Sequence, residues 1–235
     1  MLFYRSLQSV FTKRIFWNNT FVQMEFIGVH SLPIVLIISA FTGMVFSLQI
    51  AKVFASFGLT TQLGQGLTLA FARELGPILT SVIVAGRVGS SITAVIGSMK
   101  VTEQVEALKT LSTDPIDYLV APRIIAAGLM LPVLVIFSDF IGISCGLVMA
   151  SFSANIPYNN FIDGILTAST FWDFLGGIIK AFFFGLVIAG VGTYKGLHTE
   201  NGAVGVGKAT TETVVTSSIV IFILNYFLSI VLYNL

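Results

Sequence analysis

The stretch FIGVHSLPIVLIISAFTGMVFSLQIA, residues 26–51, contains no Asp, Glu, Lys or Arg; the flanking charges are Glu25 and Lys52. About 20 consecutive apolar residues suffice for a helix to cross the hydrocarbon core of a bilayer, and this run exceeds that length. It predicts a first membrane span at about 31–54. Working outward, four more apolar runs predict spans at about 75–99, 122–152, 174–194 and 213–235. Arg87 lies near the middle of the second, Asp139 inside the third and Lys180 inside the fourth, whereas the fifth is free of charge. The expected fold is an all-α integral membrane protein with five transmembrane helices.

Composition excludes the main alternatives. Of 235 residues, 55% are hydrophobic and only 10% charged, with a mean hydropathy of +0.94. A soluble domain carries about 25% charged residues, so a soluble globular protein, a disordered chain and a coiled coil are all ruled out. The net charge of +1, from 12 basic and 11 acidic residues, provides no basic surface for nucleic acid. A single cysteine, Cys145, permits no internal disulfide, and His30 and His198 alone do not make a zinc ligand set.

At the N-terminus, Arg5, Lys13 and Arg14 are interleaved with Phe3, Leu7, Phe11 and Trp17, unlike a cleavable signal with a compact apolar core. Leu7, Val10 and Phe11 share one helical face, so residues 1–30 are expected to form an interfacial amphipathic segment lying in the headgroup plane. Lysine and arginine bias sets the orientation. With the N-terminus in the cytoplasm, Arg5, Lys13, Arg14, Lys100, Lys109, Arg123, Lys195 and Lys208 fall inside, and Lys52 and Arg73 outside. The basic-free segment from Asn155 to Asp173 then becomes an external loop with a short helix.

The second span carries two rows of small residues: Ser81, Ala85, Gly89, Thr93 and Gly97, and beside them Gly86, Ser90, Ala94 and Ser98. Such rows let helix backbones approach closely in lipid, either within one chain or at a homodimer interface. Gly142 with Gly146, and Gly192 with Gly196, repeat the spacing more briefly.

The run from Gly202 to Ala209 matches a phosphate-binding loop up to Gly207-Lys208, but Ala209 stands where the magnesium-binding hydroxyl belongs and no buried strand precedes it. It reads instead as a flexible glycine turn before the last span. Between the second and third spans, residues 100–111 place Val101, Val105 and Leu108 on one face and predict a short cytoplasmic amphipathic helix ending near Ser112. A second short helix is expected to start with Asp114 as its cap and Pro115 at its first position.

Ionisable groups in hydrocarbon are costly and therefore pair, face the bundle interior or line a polar cavity. Two arrangements are open: an Arg87–Asp139 ion pair, or Arg87 and Lys180 together holding a ligand phosphate. Arg73 and Glu74, before Gly76-Pro77, stand at the external end of the second span and can latch a loop, cap a helix or bind a partner. No Ser–His arrangement and no cluster of acids suggests catalysis.

Four motifs taken in order carry a resemblance: Arg73-Glu-Leu-Gly-Pro77, Ala85-Gly-Arg-Val-Gly-Ser90, Met99-Lys-Val-Thr-Glu-Gln104 followed by Ala107-Leu108, and Gly205-Val-Gly-Lys-Ala-Thr-Thr211. Over about residues 30 to 235 the chain resembles the MlaE family, the permease subunits of ABC-type phospholipid transporters of bacteria and of plastid envelopes. The resemblance implies a permease domain over 31–235 that moves phospholipid as a homodimer, without catalytic residues of its own. It implies that a separate cytoplasmic ABC ATPase uses ATP and Mg, this chain binding no cofactor, and that an MCE-domain substrate-binding protein works on the opposite side. Glu103, Gln104, Glu106 and Leu108 would lie in the coupling helix that docks on the ATPase, and Arg87 and Lys180 match basic positions within the family's membrane helices. The implied location is a bacterial inner membrane or a plastid inner envelope. Two readings from other classes stand beside it: a membrane scaffold or assembly factor, and an ion-coupled secondary transporter or channel built on Arg87, Asp139 and Lys180.

Overall fold

A computed structural model of the chain describes residues 16–168 and 170–233. The expected amphipathic face of Leu7, Val10 and Phe11 lies outside the described residues. Helix α1 is Trp17–Gly28, and after a turn α2 covers Leu32–Ser56. Helix α3 runs over Thr60–Val101, α4 over Gln104–Thr110, α5 over Ile116–Ala154 and α6 over Tyr158–Ala168. Helices α7, Phe171–Leu197, and α8, Gly202–Tyr233, complete the fold. Among the described residues there is no strand, and five stretches are long and apolar enough to cross a membrane, so the protein is an all-α integral membrane protein.

Span number agrees with the sequence, but several boundaries lie further out. Helix α3 begins at Thr60 rather than near residue 75 because its first turns are amphipathic. Leu63 and Leu67 are buried with Phe71, Phe161 and Ile156 in one apolar cluster, which covers α6. Gln65 Nε2 donates to Thr167 Oγ1 at 3.1 Å and Asn160 Nδ2 to Thr60 Oγ1 at 3.0 Å along the same contact. The helix expected within Asn155–Asp173 is α6.

The glycine-rich run at 202–209 is helical, not a flexible turn. The turn is made by Asn201 and Gly202, whose φ angles of 62° and 64° lie in the left-handed region, and α8 begins there. A different segment also departs from expectation: α3 continues through Val101 and stops at Thr102, so the single helix expected over 100–111 is split at Glu103. Asp114 caps the turn at Ile116–Val120, its Oδ1 accepting the Ile116 N–H at 2.9 Å, and that turn runs directly into the rest of α5.

The chain divides into two compact units. The first holds residues up to Ser31, Ser81–Leu131 and Phe182–Phe227. Ser81, Ala85, Gly89, Thr93 and Gly97 are all buried within it, which assigns this row to packing inside the chain. Thr93 Oγ1 lies 2.7 Å from Thr213 Oγ1 and donates to Gly192 O at 3.0 Å, tying α3 to α8 and α7. The neighbouring row is open, with Gly86 and Ser98 exposed and Ser90 and Ala94 half-buried.

The second unit holds Leu32–Thr80, Pro132–Ala181 and the end of α8 from Leu228. Here α2 and α5 meet backbone to backbone at Gly43 and Gly142, flanked by a buried Ser39–Ser138 hydroxyl pair at 2.7 Å. A Cβ on Gly142 would enter the Phe71 ring. Gly142→Ala is therefore expected to destabilise the protein by about 1–3 kcal/mol, the usual cost of overpacking, measured as a lower unfolding midpoint in detergent. An unchanged midpoint would show that Phe71 can turn aside freely.

Candidate functional site

Three of the four sequence motifs coincide with irregular helix. Phe71–Leu75 and Ala85–Gly89 are π turns within α3, and the Met99–Gln104 motif spans the break between α3 and α4. Inserted π turns re-aim side chains and are frequent at functional positions.

The first π turn carries Arg73 and Glu74. Just beyond it Pro77 has no N–H to offer the Arg73 carbonyl four residues earlier, and Lys180 Nζ donates to that carbonyl at 2.8 Å. The same ammonium, fully buried, donates to Glu74 Oε1 and to Ser229 Oγ, each at 2.8 Å. Ser229 Oγ in turn donates to Glu74 Oε1 at 2.9 Å. Arg73 is drawn the other way: its Nε and Nη2 both reach Asp173 Oδ1, at 2.7 and 2.6 Å. Asp173 Oδ2 accepts the Thr170 N–H at 2.8 Å, one half of a capping box at the start of α7. The Tyr233 ring lies 4.7 Å from the Arg73 guanidinium carbon and 5.1 Å from Lys180 Nζ. Two acids and two bases thus neutralise one another, and α3, α7 and the end of α8 are joined by charge within one unit.

This arrangement bears on the pairing of Lys180 with Arg87 around a phosphate. All three protons of Lys180 have acceptors on the protein, so nothing remains on it for a phosphate. Arg87 stands apart, on the second π turn. Its Nη1 donates to Ser31 Oγ at 2.8 Å and to Phe26 O at 3.4 Å, and its guanidinium carbon lies 5.4 Å from the Phe26 ring centre. Asp139 Oδ1 has no hydrogen-bond partner among the described residues. Within its own unit Arg87 is thus answered by neutral oxygens near the end of α1, through Nη1 alone.

Asp173, Ser229 and Tyr233 are members of this network that the sequence did not single out. One signal was available: Asp173 and Lys180 are seven residues apart on α7 and so share a face. Gly76 also has a specific task, since a Cβ there would run into Asp139 Oδ1.

Helix α4 is built for exposure. Val105 is buried and anchors it, whereas Glu103 and Gln104 are exposed and Leu108 is half-buried. Glu103 adopts φ 61°, ψ 9°, a left-handed conformation that ends α3 and re-aims α4. Val101, expected on the same face as Val105, belongs to α3 and is exposed. Glu106 is bound by Lys100 and, at 2.7 Å, by Lys109. Hydrogen bonds from Lys100 and then Lys109 hold the Glu106 carboxyl at about 2, below its ordinary 4.5. A depressed carboxyl contributes fully above its unfolded value and loses that contribution as pH falls through its folded one. The α4 amide exchange pattern is therefore expected to be unchanged between pH 7 and pH 5. A loss of protection specific to α4 across that range would show that Glu106 does not hold the helix.

Comparison with known proteins gives a coherent result. The family model described as permease MlaE matches residues 20–231. A Synechocystis protein named "Probable ABC transporter permease protein" is 49% identical over 92% of this chain and 82% of its own length. A Rickettsia typhi protein of the same description is 41% identical over 97% of this chain and 88% of its own length. The chloroplastic protein TRIGALACTOSYLDIACYLGLYCEROL 1 of Arabidopsis thaliana is 40% identical over 92% of this chain and 62% of its own length.

Proposed function

Since this chain belongs to the MlaE permease family of ABC transporters, we propose that it is the membrane subunit of a phospholipid transporter, working as a homodimer. The name of the Arabidopsis relative contains a glycolipid, which supports a lipid cargo. The observation that carries the reading is α4. It is a short exposed helix, set at a fixed angle by left-handed Glu103 and held by the Lys100–Glu106–Lys109 cluster. Glu103, Gln104, Glu106 and Leu108 form the coupling surface on which a cytoplasmic ABC ATPase docks; ATP and Mg are used there, and this chain binds neither. Closure of the ATPase on ATP then drives α4 and, through it, α3, biasing a two-state permease.

In this scheme α1 lies on the membrane surface, consistent with exposed Trp17, Phe21 and Val22, and residues 31–235 form the permease domain. The open row Gly86, Ser90, Ala94 and Ser98 is suited to close approach by a second copy of α3. Arg87 takes the headgroup role once shared with Lys180: it is half-buried in α3 and, among the described residues, is held by a hydroxyl and a carbonyl instead of a carboxylate. The Arg73–Glu74–Gly76–Pro77 segment latches α7 and α8 at the external end, towards an MCE-domain partner. The host membrane is a bacterial inner membrane or a plastid inner envelope.

The test is purification of the tagged protein from its native membrane in mild detergent, with co-purified proteins and lipids identified by mass spectrometry. Recovery of an ATPase, an MCE-domain protein and phospholipid is expected, along with ATP-dependent lipid transfer from proteoliposomes of the complex. Recovery of the chain alone after cross-linking would overturn the reading.

A further inference from the structure

Asp139 presents a chemical problem that the transport reading leaves unsolved. Its side chain projects from α5 and the residue is only 6% exposed. Its Oδ1 packs against Gly76 without a hydrogen-bond partner among the described residues. The two cations of the same unit's charged network are already matched, Arg73 by Asp173 and Lys180 by Glu74. Asp139 therefore has no counter-charge there.

The same residue forms part of the wall of a cavity of about 520 Å³, whose other walls include Ile136, Phe140, Ile143, Phe174 and Ile178. That volume is in the range of small-molecule sites, which are apolar with a few placed polar groups. Besides Asp139, the lining offers one more polar side chain, the hydroxyl of Ser144.

We propose that this cavity binds an amphiphile bearing an ammonium group, the cation set against Asp139 and the apolar body against the isoleucine and phenylalanine walls. A carboxyl group in such surroundings leaves either a charge unmatched or a proton without an acceptor, and both are costly in hydrocarbon. An ammonium resolves this by holding the group ionised: it donates to the carboxylate and supplies the missing charge, so no proton is left without an acceptor. The Ser144 hydroxyl can accept a second of its protons. An anionic headgroup is disfavoured at the same place by like-charge repulsion. The site draws only on residues of the second unit and does not depend on which lipid the permease carries.

The test uses the purified full-length protein in nanodiscs and three photo-activatable probes that differ only in the head: a long-chain primary amine, the matching alcohol and the matching carboxylic acid. The amine is expected to label peptides covering 136–144 and 174–178 about tenfold more than either of the others, the discrimination typical of one charge-assisted hydrogen bond. Asp139→Asn is expected to reduce amine labelling to the level of the alcohol. Ile178→Trp, which fills the cavity and keeps the acid, is expected to remove labelling by all three. Equal labelling by amine and acid, or amine labelling that survives Asp139→Asn, would overturn the proposal. Alcohol labelling as strong as that of the amine would do so too, by showing a neutral hydrogen-bonding site. The head series on the unaltered chain decides the matter even where Asp139→Asn does not assemble.

Discussion

Replacing Glu74 by alanine is expected to destabilise the protein more than replacing Lys180 by methionine, although the two residues form one ion pair. The asymmetry comes from burial. Lys180 is wholly enclosed, whereas the Glu74 side chain is 38% exposed. Without Glu74, an ammonium stays in the interior with only the Arg73 carbonyl and Ser229 hydroxyl to answer it. Removing one partner of a buried pair costs about 3–5 kcal/mol when the remaining charge cannot escape. Without Lys180, the Glu74 carboxylate can turn toward its exposed side, and the cost falls to about 1–3 kcal/mol, that of an imperfectly satisfied polar group. The Arg73 carbonyl, which Pro77 cannot serve, would add to it. The double variant, Glu74→Ala with Lys180→Met, is expected to be more stable than Glu74→Ala alone, because it removes the stranded cation. Unfolding midpoints of the three variants in one detergent, combined as a double-mutant cycle, measure the coupling. If Lys180→Met proves the most damaging of the three, the network is held by the carbonyl contact and not by the ion pair.

That network also marks the limit of what the sequence discloses. Number and order of the spans follow from runs without charge, because hydrocarbon tolerates no unpaired backbone and few ionised groups. Close packing of small residues on α3 follows from their spacing, but which row packs inside the chain does not, since Ser81, Ala85, Gly89, Thr93 and Gly97 are buried while Gly86 and Ser98 with the same spacing are exposed. Partner choice among Arg73, Glu74, Arg87, Asp139 and Lys180 does not, because it depends on rotations that two π turns in α3 introduce. A helix of uniform pitch assumed through 71–89 sets Arg73, Glu74 and Arg87 at the wrong angles. The extension of α3 back to Thr60 is hidden in the sequence for a related reason. Thr60, Thr61, Gln62 and Gln65 look like loop by composition, and only burial of Leu63 and Leu67 against Phe161 makes the segment helical. At Gly202–Gly207, abundant glycine suggested a turn, yet only Asn201 and Gly202 use a left-handed conformation.

Glu103→Lys is expected to reduce the ATPase recovered with the purified protein about tenfold or more while leaving its unfolding midpoint unchanged. Both properties trace to one residue whose backbone and side chain have separate duties. Glu103 sits at φ 61°, where an L-residue other than glycine pays about 1–2 kcal/mol. Lysine is unbranched at Cβ like glutamate, so it bears the same backbone strain and preserves the angle between α3 and α4. What changes is the sign of an exposed charge on the proposed docking surface, where one charge-assisted hydrogen bond contributes about 1.5–3 kcal/mol. Two companion variants separate charge from geometry. Glu103→Gly relieves the strain and keeps the bend, so it should raise the midpoint slightly and weaken docking less than lysine, having lost the carboxylate without adding repulsion. Glu103→Val is strained further by its branched Cβ, so it should lower the midpoint and misdirect α4. The order of docking expected is wild type, then Gly, then Lys, with Val losing docking and midpoint together. Glu106 is engaged by Lys100 and Lys109, whereas the exposed Glu103 carboxylate has no ion-pair partner among the described residues, so it is the acid of this helix open to a cationic donor on the ATPase. Undiminished ATPase recovery with Glu103→Lys would place the docking surface elsewhere and leave α4 as a connector.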